Sequence, residues 1–537
     1  MDNKNSTIIL AKNIKMDKNY KNVLSYNNND MVTLCRNNKV LESNDYSFLK
    51  PDVNQIKIQA SYGTCVQANY IAFQNPYYSN KWFFAFIDKI EYKSETTQVI
   101  HYTIDEWTTW YGYWNAKPCF VIREHTNDDT IGANTINEGL ELGDFICMKE
   151  LDYDYLGFSI CVALSDISNI LVDDETYVPA SRYYNGVASG LCYVNISDKQ
   201  SLNYLIRKAN AIGKIDAIVS IFMVPNNFDT SSEYVDPSGS IKYRYILQTN
   251  DFYDCGDLFF DIQKTTIGEK GFQPKNKKLF TYPYFFLEAT NNCGVNVVYR
   301  YEDFSPLPNT SDSAIRFTVK GAISPGCSIK AIPNNYKLKG TDIVENYNES
   351  FNLGKLPLGS WINDIYTNWL RQNGLNMDLQ MLNSVTQVAT GAINKSAGSV
   401  ISGVSGVANT INTYYQASLT PNQARGNVNS SDINFAVNKC GFTTYQKSIK
   451  DEYARKIDNY FTKYGYATNL VKIPNLIGRS NFNYVQIDTN DNIGYSSSDL
   501  GIPATSMEII NNIARNGVTI WHNYANFGDF SVDNSIV

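Results

Sequence analysis

Histidine is scarce in these 537 residues: there are three, His101, His125 and His522, and no two are close in sequence. None sits in an HExxH or Cys–His arrangement, and no GxSxG elbow, Walker loop or dinucleotide-binding glycine pattern accompanies them. The common routes to hydrolytic, nucleotide-driven and zinc chemistry therefore have no signature here. The ten cysteines stand singly from Cys35 to Cys440 with no CxxC, which excludes a zinc ribbon and a disulfide framework and predicts reduced, mostly buried thiols. No run of about 18 apolar residues marks an ordinary transmembrane helix. The opening MDNKNSTIILAKNIKMDK lacks the apolar core of a signal peptide. Charge is also sparse, at 18% of residues, with a net charge of −7 and a pI near 5.2. That balance speaks against a nucleic-acid binder, which needs Lys and Arg to neutralise phosphates, but not against a wall that DNA slides past.

Aromatic and β-forming residues are plentiful. Tyr (39) and Phe (26) carry an aromatic content of 13%, a profile that favours strands and Tyr-rich contact surfaces over helical bundles. The length calls for two to four folded units. Residues 1–150 read as a mixed, mainly β domain. Ile56–Ala60, Trp82–Ile87, Tyr92, Val99–Ile104 and Cys119–His125 are strand candidates, with Lys93–Gln98 as a hairpin connection. Asp105 is a plausible cap for a helix carrying Trp107, Trp110 and Trp114. Residues 151–350 repeat a strand-and-turn rhythm: Phe158–Leu164, Ala217–Val224, Tyr243–Gln248, Tyr282–Leu287, Val295–Tyr301 and Ala314–Lys320. In the C-terminal part the spacing predicts helices over Ser360–Leu370 (Trp361, Ile365, Trp369), over Tyr445–Tyr464, and from Pro503 to Gly517.

Within residues 351–440 lies a segment of different composition. From Leu379 to Ala424, 46 residues carry one charge, Lys395, where the chain average of 18% would give about eight. Val385, Val388, Ile393, Val400, Ile401, Val404, Val407 and Ile411, with Ala389, Ala392, Ala397 and Ala408 between them, nevertheless recur at steps of three and four, an amphipathic helical period whose polar face is uncharged. Three readings stand: a flexible linker, a plug packed inside an oligomer, or a membrane-active segment. The last two are compatible at different times.

The densest carboxylate cluster runs from Glu124 through Asp128 and Asp129 to Glu138, Glu141 and Asp144. As chemistry, Glu124 would be a general acid and Asp128 or Asp129 a nucleophile or calcium ligand; as structure, the stretch is a polar loop after a strand. With 53 acidic residues such clusters arise by chance. The reading assigns no catalytic, cofactor-binding or metal residues and no cofactor.

The stretch Phe120–Gly132 (FVIREHTNDDTIG) resembles the REH-x(3)-D-x-IG motif of the tail knob, or distal tail tube, proteins of small short-tailed phages (podoviruses) of Gram-positive hosts. Phe84–Trp110, with FAFIDKIEY and IDEWTTW, is similar to the strand, strand and Trp-helix order of that family. Tyr453–Phe461, Tyr464–Tyr466, Lys472–Asn475 and Arg479–Gln486 look like its "YF..YGY…K.PN" block, and Asn516–His522 resembles its "NGITFWH" close. These blocks cover about 80–145 and 440–522; the middle is not recognised.

The resemblance implies a mainly β protein with some helix, built of barrel- or sandwich-like domains into a hexameric tube. Residues 1–150 and 441–537 would form the wall, 151–350 the outer knob, and 351–440 a helix and a loop that plugs the channel and then enters the host membrane. The implied partners are other copies of the chain, the lower collar or proximal tube, receptor-binding appendages, a tail-tip hydrolase, the host cytoplasmic membrane, and double-stranded DNA passing without specific binding. Two alternatives belong to other classes: a tail-associated enzyme degrading cell wall or capsule, and a carbohydrate-binding adhesin using exposed Tyr and Trp.

Overall fold

In the computed structural model the described residues are 6–46, 54–75, 79–154, 158–173, 183–184, 187–188, 191–196, 198–225, 231–246, 253–262, 264–310, 314–321, 328–340, 342–355, 358–360, 441–488, 495–497 and 501–537. The expected helix after Ser360 and the whole low-charge segment lie outside them. The chain is mainly β with a minority of helix, and divides into two units.

The first unit comprises Met1–Gly143, Phe272–Leu279 and Asp451–Val537. Its larger sheet has the order Lys39–Tyr46, Ser6–Ala11, Tyr70–Asn75, Lys81–Ser94, Thr97–Ile104, Gln55–Ile58, antiparallel throughout. The apolar run Phe83–Phe86 lies at its centre with every side chain buried, as a strand covered on both faces requires. Tyr92 extends this same strand instead of starting another, and the hairpin closes at Glu95–Thr96. The second sheet has the order Asn22–Leu24, Val518–Trp521, Phe482–Asp488, Cys119–Glu124, Tyr466–Lys472. It thus interleaves strands from both ends of the chain. Side chains of the two sheets meet in one core that includes Phe73, Phe83, Tyr102, Val121, Val485 and Ile520.

Helices pack on these sheets. Asp105 caps Glu106–Trp110 by accepting from the Thr108 backbone N–H (3.1 Å). That helix ends at Trp110, so Trp114 belongs to the short strand Trp114–Ala116; its ring still meets Trp107 at 5.3 Å. The helix Ala504–Arg515 begins after Pro503 and stops at Gly517 (φ +84°), as expected. The expected helix over Tyr445–Tyr464 is shorter: Gly441–Ile449 is a strand and the helix runs Asp451–Tyr464. Residues four apart share a face in both elements, so Tyr445, Ile449 and Tyr453 did not separate them.

The second unit comprises Asp144–Gly271 and Phe280–Lys450. One sheet has the order Phe145–Asp154, Gly441–Ile449, Phe285–Thr290, Asn296–Tyr299. Another places Phe158–Leu164 between Cys192–Ile196 and Ile218–Pro225. A third runs Tyr253–Asp261, Ala314–Gly321, Ser328–Pro333, Phe351–Lys355. Rings of Tyr299, Phe317, Tyr336, Phe351 and Phe442 pack against one another at centroid distances of 5.1–6.5 Å. The strand-and-turn reading of this region missed the helix Lys199–Ala211, capped by Asp198. Tyr282–Leu287 shifts to Phe285–Thr290, because Tyr282 and Pro283 form a turn ahead of the strand.

Of the cysteines described individually, Cys35, Cys65, Cys119, Cys161 and Cys192 are buried, Cys293 is half-buried, and Cys147 is exposed. Among the described residues no helix is long and apolar enough to cross a membrane.

Candidate functional site

The strand Cys119–Glu124 runs between Tyr466–Lys472 and Phe482–Asp488, with Glu124 opposite Tyr466 on one side and Val485 on the other. This pairing gathers Arg123-Glu124-His125, the YGY turn, the Lys472–Asn475 stretch and Arg479–Tyr484 into one polar network inside the first unit.

His125 is buried, and both ring nitrogens are used. Nδ1 accepts from the Tyr484 backbone N–H (2.7 Å), so Nε2 carries the proton and donates to the Thr462 carbonyl (3.0 Å). Burial, with the Arg479 guanidinium beside it, pushes the imidazole down to about 3, and the ring is neutral. Glu124 is fully buried; one oxygen accepts from the Asn475 backbone N–H (2.7 Å) and the other pairs with Lys472. Asn475 in turn donates to the His125 carbonyl (2.8 Å) and to Asn127 Oδ1 (2.7 Å). Gly465 turns between helix and strand at φ +63°, and a Cβ there would lie 2.1 Å from the Glu124 carbonyl oxygen. Only glycine fits both conditions.

The other carboxylates are likewise bonded. Glu138, its side chain buried, pairs with both Arg123 and Lys278 and accepts from the Ala467 backbone N–H (2.8 Å). Arg123 also donates to the Gly465 carbonyl (2.8 Å) and lies over the Tyr460 ring (4.8 Å). Burial lowers the Lys278 ammonium, which Glu138 partly restores. Asp129 accepts from the Tyr466 hydroxyl and the Lys277 backbone N–H, and burial raises its carboxyl. Asp128, exposed, is held low by its bonds from Thr130. Glu141 is exposed, as is Asp144, which pairs with Lys450 in the second unit.

A groove of about 580 Å³ opens beside Glu124, lined by Asn127, Asp128, Ile136, Leu470 and Lys472 among others. The one buried acid facing it is already neutralised by Lys472. A glycosidase pair needs one carboxyl to hold a proton and the other to stay free, and here the bonds go to backbone N–H groups and cations instead. Among the described residues no group of three metal-ligating side chains occurs. The network's work is to tie the two ends of the chain together.

His522 belongs to the same network through Asn483 Oδ1 (3.0 Å) and Ser25 Oγ (2.9 Å), while His101 lies on a strand with Nε2 3.4 Å from Glu91. Two contributors lie inside the motif blocks Tyr453–Phe461 and Arg479–Gln486, but their bonding was not read from the sequence. Asp458 accepts from the backbone N–H groups of Lys275 and Asn276 (3.1 and 3.0 Å), stitching 272–279 to the helix Asp451–Tyr464. Arg479 donates to the Thr126 carbonyl (2.8 Å). Side-chain bonds to distant backbone leave no periodic trace, so the motif blocks marked the residues without showing what they bond. The apolar series Val385, Val388, Ile393, Val400, Ile401, Val404, Val407 and Ile411 lies outside the described residues.

Comparison with known proteins accounts for this arrangement. The family described as Bacillus phage phi29, Tail knob protein gp9, C-terminal domain, matches residues 251–535, and the Caudoviral major tail protein N-terminus matches 4–115. The match from 251 onward reaches well into the middle region, which had shown no resemblance by its motifs. Tail knob protein gp9 of Bacillus phage phi29 is 24% identical, covering 98% of each chain; that of Bacillus phage B103 is 22% identical, covering 98% of this chain and 97% of its own. The solved structure of the bacteriophage C1 tail knob protein, gp12, shares the fold at TM-score 0.63 and 14% identity, covering 99% of this chain and 100% of that one. With more than half its length matched, the chain belongs to the family of the phage phi29 tail knob protein gp9, and it is a structural protein of the phage virion tail.

Proposed function

We propose that six copies of this chain close into the distal tube of a short tail, a conduit for genome ejection. In this reading the segment Leu379–Ala424 plugs the channel and afterwards enters the host membrane. The observation that carries it is that segment's single charge, Lys395, combined with an unbroken helical period from Val385 to Ile411. As one helix, the about 37 residues from Leu379 to Tyr415 span roughly 55 Å, and a hairpin about half that, against a bilayer core of about 30 Å. Its Ser, Thr, Asn and Gln face would line water or pack on other copies, and its Val, Ile and Ala face suits close helix packing.

Residues 1–150 and 441–537 would form the wall, 151–350 the outer knob, and 351–440 the helix and plug. What supports the wall assignment is that 1–143 and 451–537 fold into one unit. Six copies at −7 give about −42 formal charges, which keeps duplex DNA from adhering to a surface it traverses. The neighbours in the tail would be the collar or proximal tube, receptor-binding appendages and a tail-tip hydrolase.

The test is dye release from liposomes. The intact protein is expected to release dye, and a version lacking Leu379–Ala424 to assemble but release none. Val400→Asp with Val404→Asp is expected to abolish leakage and leave assembly intact. Equal leakage from the intact and deleted forms overturns the reading and returns the segment to a linker.

A further inference from the structure

Lys81 opens the strand Lys81–Ser94, opposite Asn75 and directly after the turn at Ser79 and Asn80, both at positive φ. From there its side chain reaches the C-terminal end of the helix Glu106–Trp110. Nζ donates to the Thr109 carbonyl (2.7 Å) and lies over two rings, 4.4 Å from the centroid of Trp110 and 3.5 Å from that of Tyr113. These rings stand at 6.2 Å and 86° to each other, so they form a corner around the amine. Both are fixed from elsewhere: Trp110 Nε1 donates to Glu106 Oε2 (3.0 Å), and the Tyr113 hydroxyl accepts from Asn28 Nδ2 (3.3 Å).

What this amine lacks is an anion. In the same unit Lys18, Lys39, Lys93, Lys278 and Lys472 each pair with a carboxylate, whereas among the described residues Lys81 pairs with none. The one acid on the facing helix, Glu106, is engaged by Trp110. An amine drawn out of water without a counter-charge holds its proton poorly, and burial pushes this ammonium down to about 7. The ring faces attract the cation by roughly tenfold in the proton equilibrium, against a burial effect on the order of a thousandfold relative to a lysine in water. Lys278 is the contrast. Burial lowers its ammonium too, but its side chain is 1% exposed and Glu138 holds the proton in place. Lys81 is only half-buried and keeps contact with solvent. An accessible amine that carries its lone pair near neutral pH is the kind that forms Schiff bases.

We propose that Lys81 is a covalent modification site, taking small aldehydes at Nζ ahead of the fully exposed lysines. The Nζ lone pair adds to the carbonyl carbon, a proton passes to the carbonyl oxygen, and loss of water leaves an imine. A hydride donor reduces that imine to a secondary amine, which keeps one N–H for the Thr109 carbonyl. The experiment treats the full chain at pH 7 with limiting ¹³C-formaldehyde and cyanoborohydride as the hydride donor, and maps methylation lysine by lysine from peptide masses. Lys81 is expected to react at least tenfold faster than Lys12 and Lys21, which are exposed. Its ¹³C-methyl resonance, assigned by its loss in Lys81→Arg, is expected to titrate at least two pH units below theirs. Tyr113→Ala opens the corner to water and is expected to bring the Lys81 rate to within threefold of the exposed lysines, with the fold checked by thermal melt. A Lys81 rate within threefold of Lys12 in the unaltered chain, a shared titration midpoint, or an unchanged rate in folded Tyr113→Ala overturns the proposal. The peptide map decides it on the unaltered chain even where a variant does not fold.

Discussion

His125 shows how a residue that looks chemical serves as structure. Its ring is a neutral bridge between the Tyr484 amide and the Thr462 carbonyl. A free histidine titrates near 6.5, and the folded ring near 3. Between those values the unfolded chain binds a proton that the folded chain excludes, so this contribution is complete above about pH 6.5 and is lost as pH falls toward 3. His125→Asn keeps an acceptor for Tyr484 but strands the Thr462 carbonyl. It is expected to cost about 1–3 kcal/mol at pH 7 and to flatten the fall in stability between pH 6 and 4 by up to one proton, read from denaturant melts at each pH. Glu138→Gln removes the anion shared by Arg123 and Lys278; with two buried cations uncompensated, a loss of about 3–5 kcal/mol is expected in the same assay. The acidic stretch from Glu124 to Asp144 was legible as a cluster. What was not legible is that each buried carboxyl is bonded to chain some 140–350 residues away, since only the folded register brings Lys472, Asn475, Tyr466 and Lys278 to it.

At the scale of elements, hydrophobic pattern located strands well where both faces are covered. Phe158–Leu164 and the strand from Ala314 stand where the apolar runs placed them. Pattern failed for Asn28–Asn37, whose polar exposed face hides the buried Met31, Val32, Leu34 and Cys35, and at Gly441–Ile449, where a four-residue spacing fits strand and helix alike. Turns are constrained more sharply than composition suggests. Gly465 and Gly139 share a φ of +63°, but a Cβ at 139 meets nothing within 4 Å, whereas at 465 it meets the Glu124 backbone. Gly139→Ala is therefore expected to cost about 1 kcal/mol from the left-handed backbone alone. Gly465→Ala should cost about 2 kcal/mol more from overlap; equal thermal shifts for the two variants would contradict this.

For the whole molecule, the first unit's five-stranded sheet takes two strands from before residue 143 and three from after 451. A fragment of residues 1–143 is therefore expected to show no cooperative melt, while the same fragment joined by a short linker to 451–537 should recover one, measured by circular dichroism. Loss of cooperativity in the joined form would show that Phe272–Leu279 or the second unit is required. Two blocks at the ends of the sequence were legible as belonging together by motif, but the inclusion of Phe272–Leu279 was not. That segment is held by Asp458 and Glu138 and carries no pattern of its own.

The bond from Arg123 to the Gly465 carbonyl spans 342 residues of chain. At roughly 5–20 residues per second, a ribosome needs on the order of 20–70 seconds to travel from one partner to the other. Throughout that interval the emerging Cys119–Glu124 strand has neither of its neighbours, and the Phe-rich hairpin before it has no second sheet to close against. Completion of the unit is thus a late event in synthesis, and these strands stay without their partners until Tyr466–Asp488 emerges. Translation speed across the middle of the gene then becomes a determinant of yield, although of residues 144–450 only Phe272–Leu279 belongs to the finished unit.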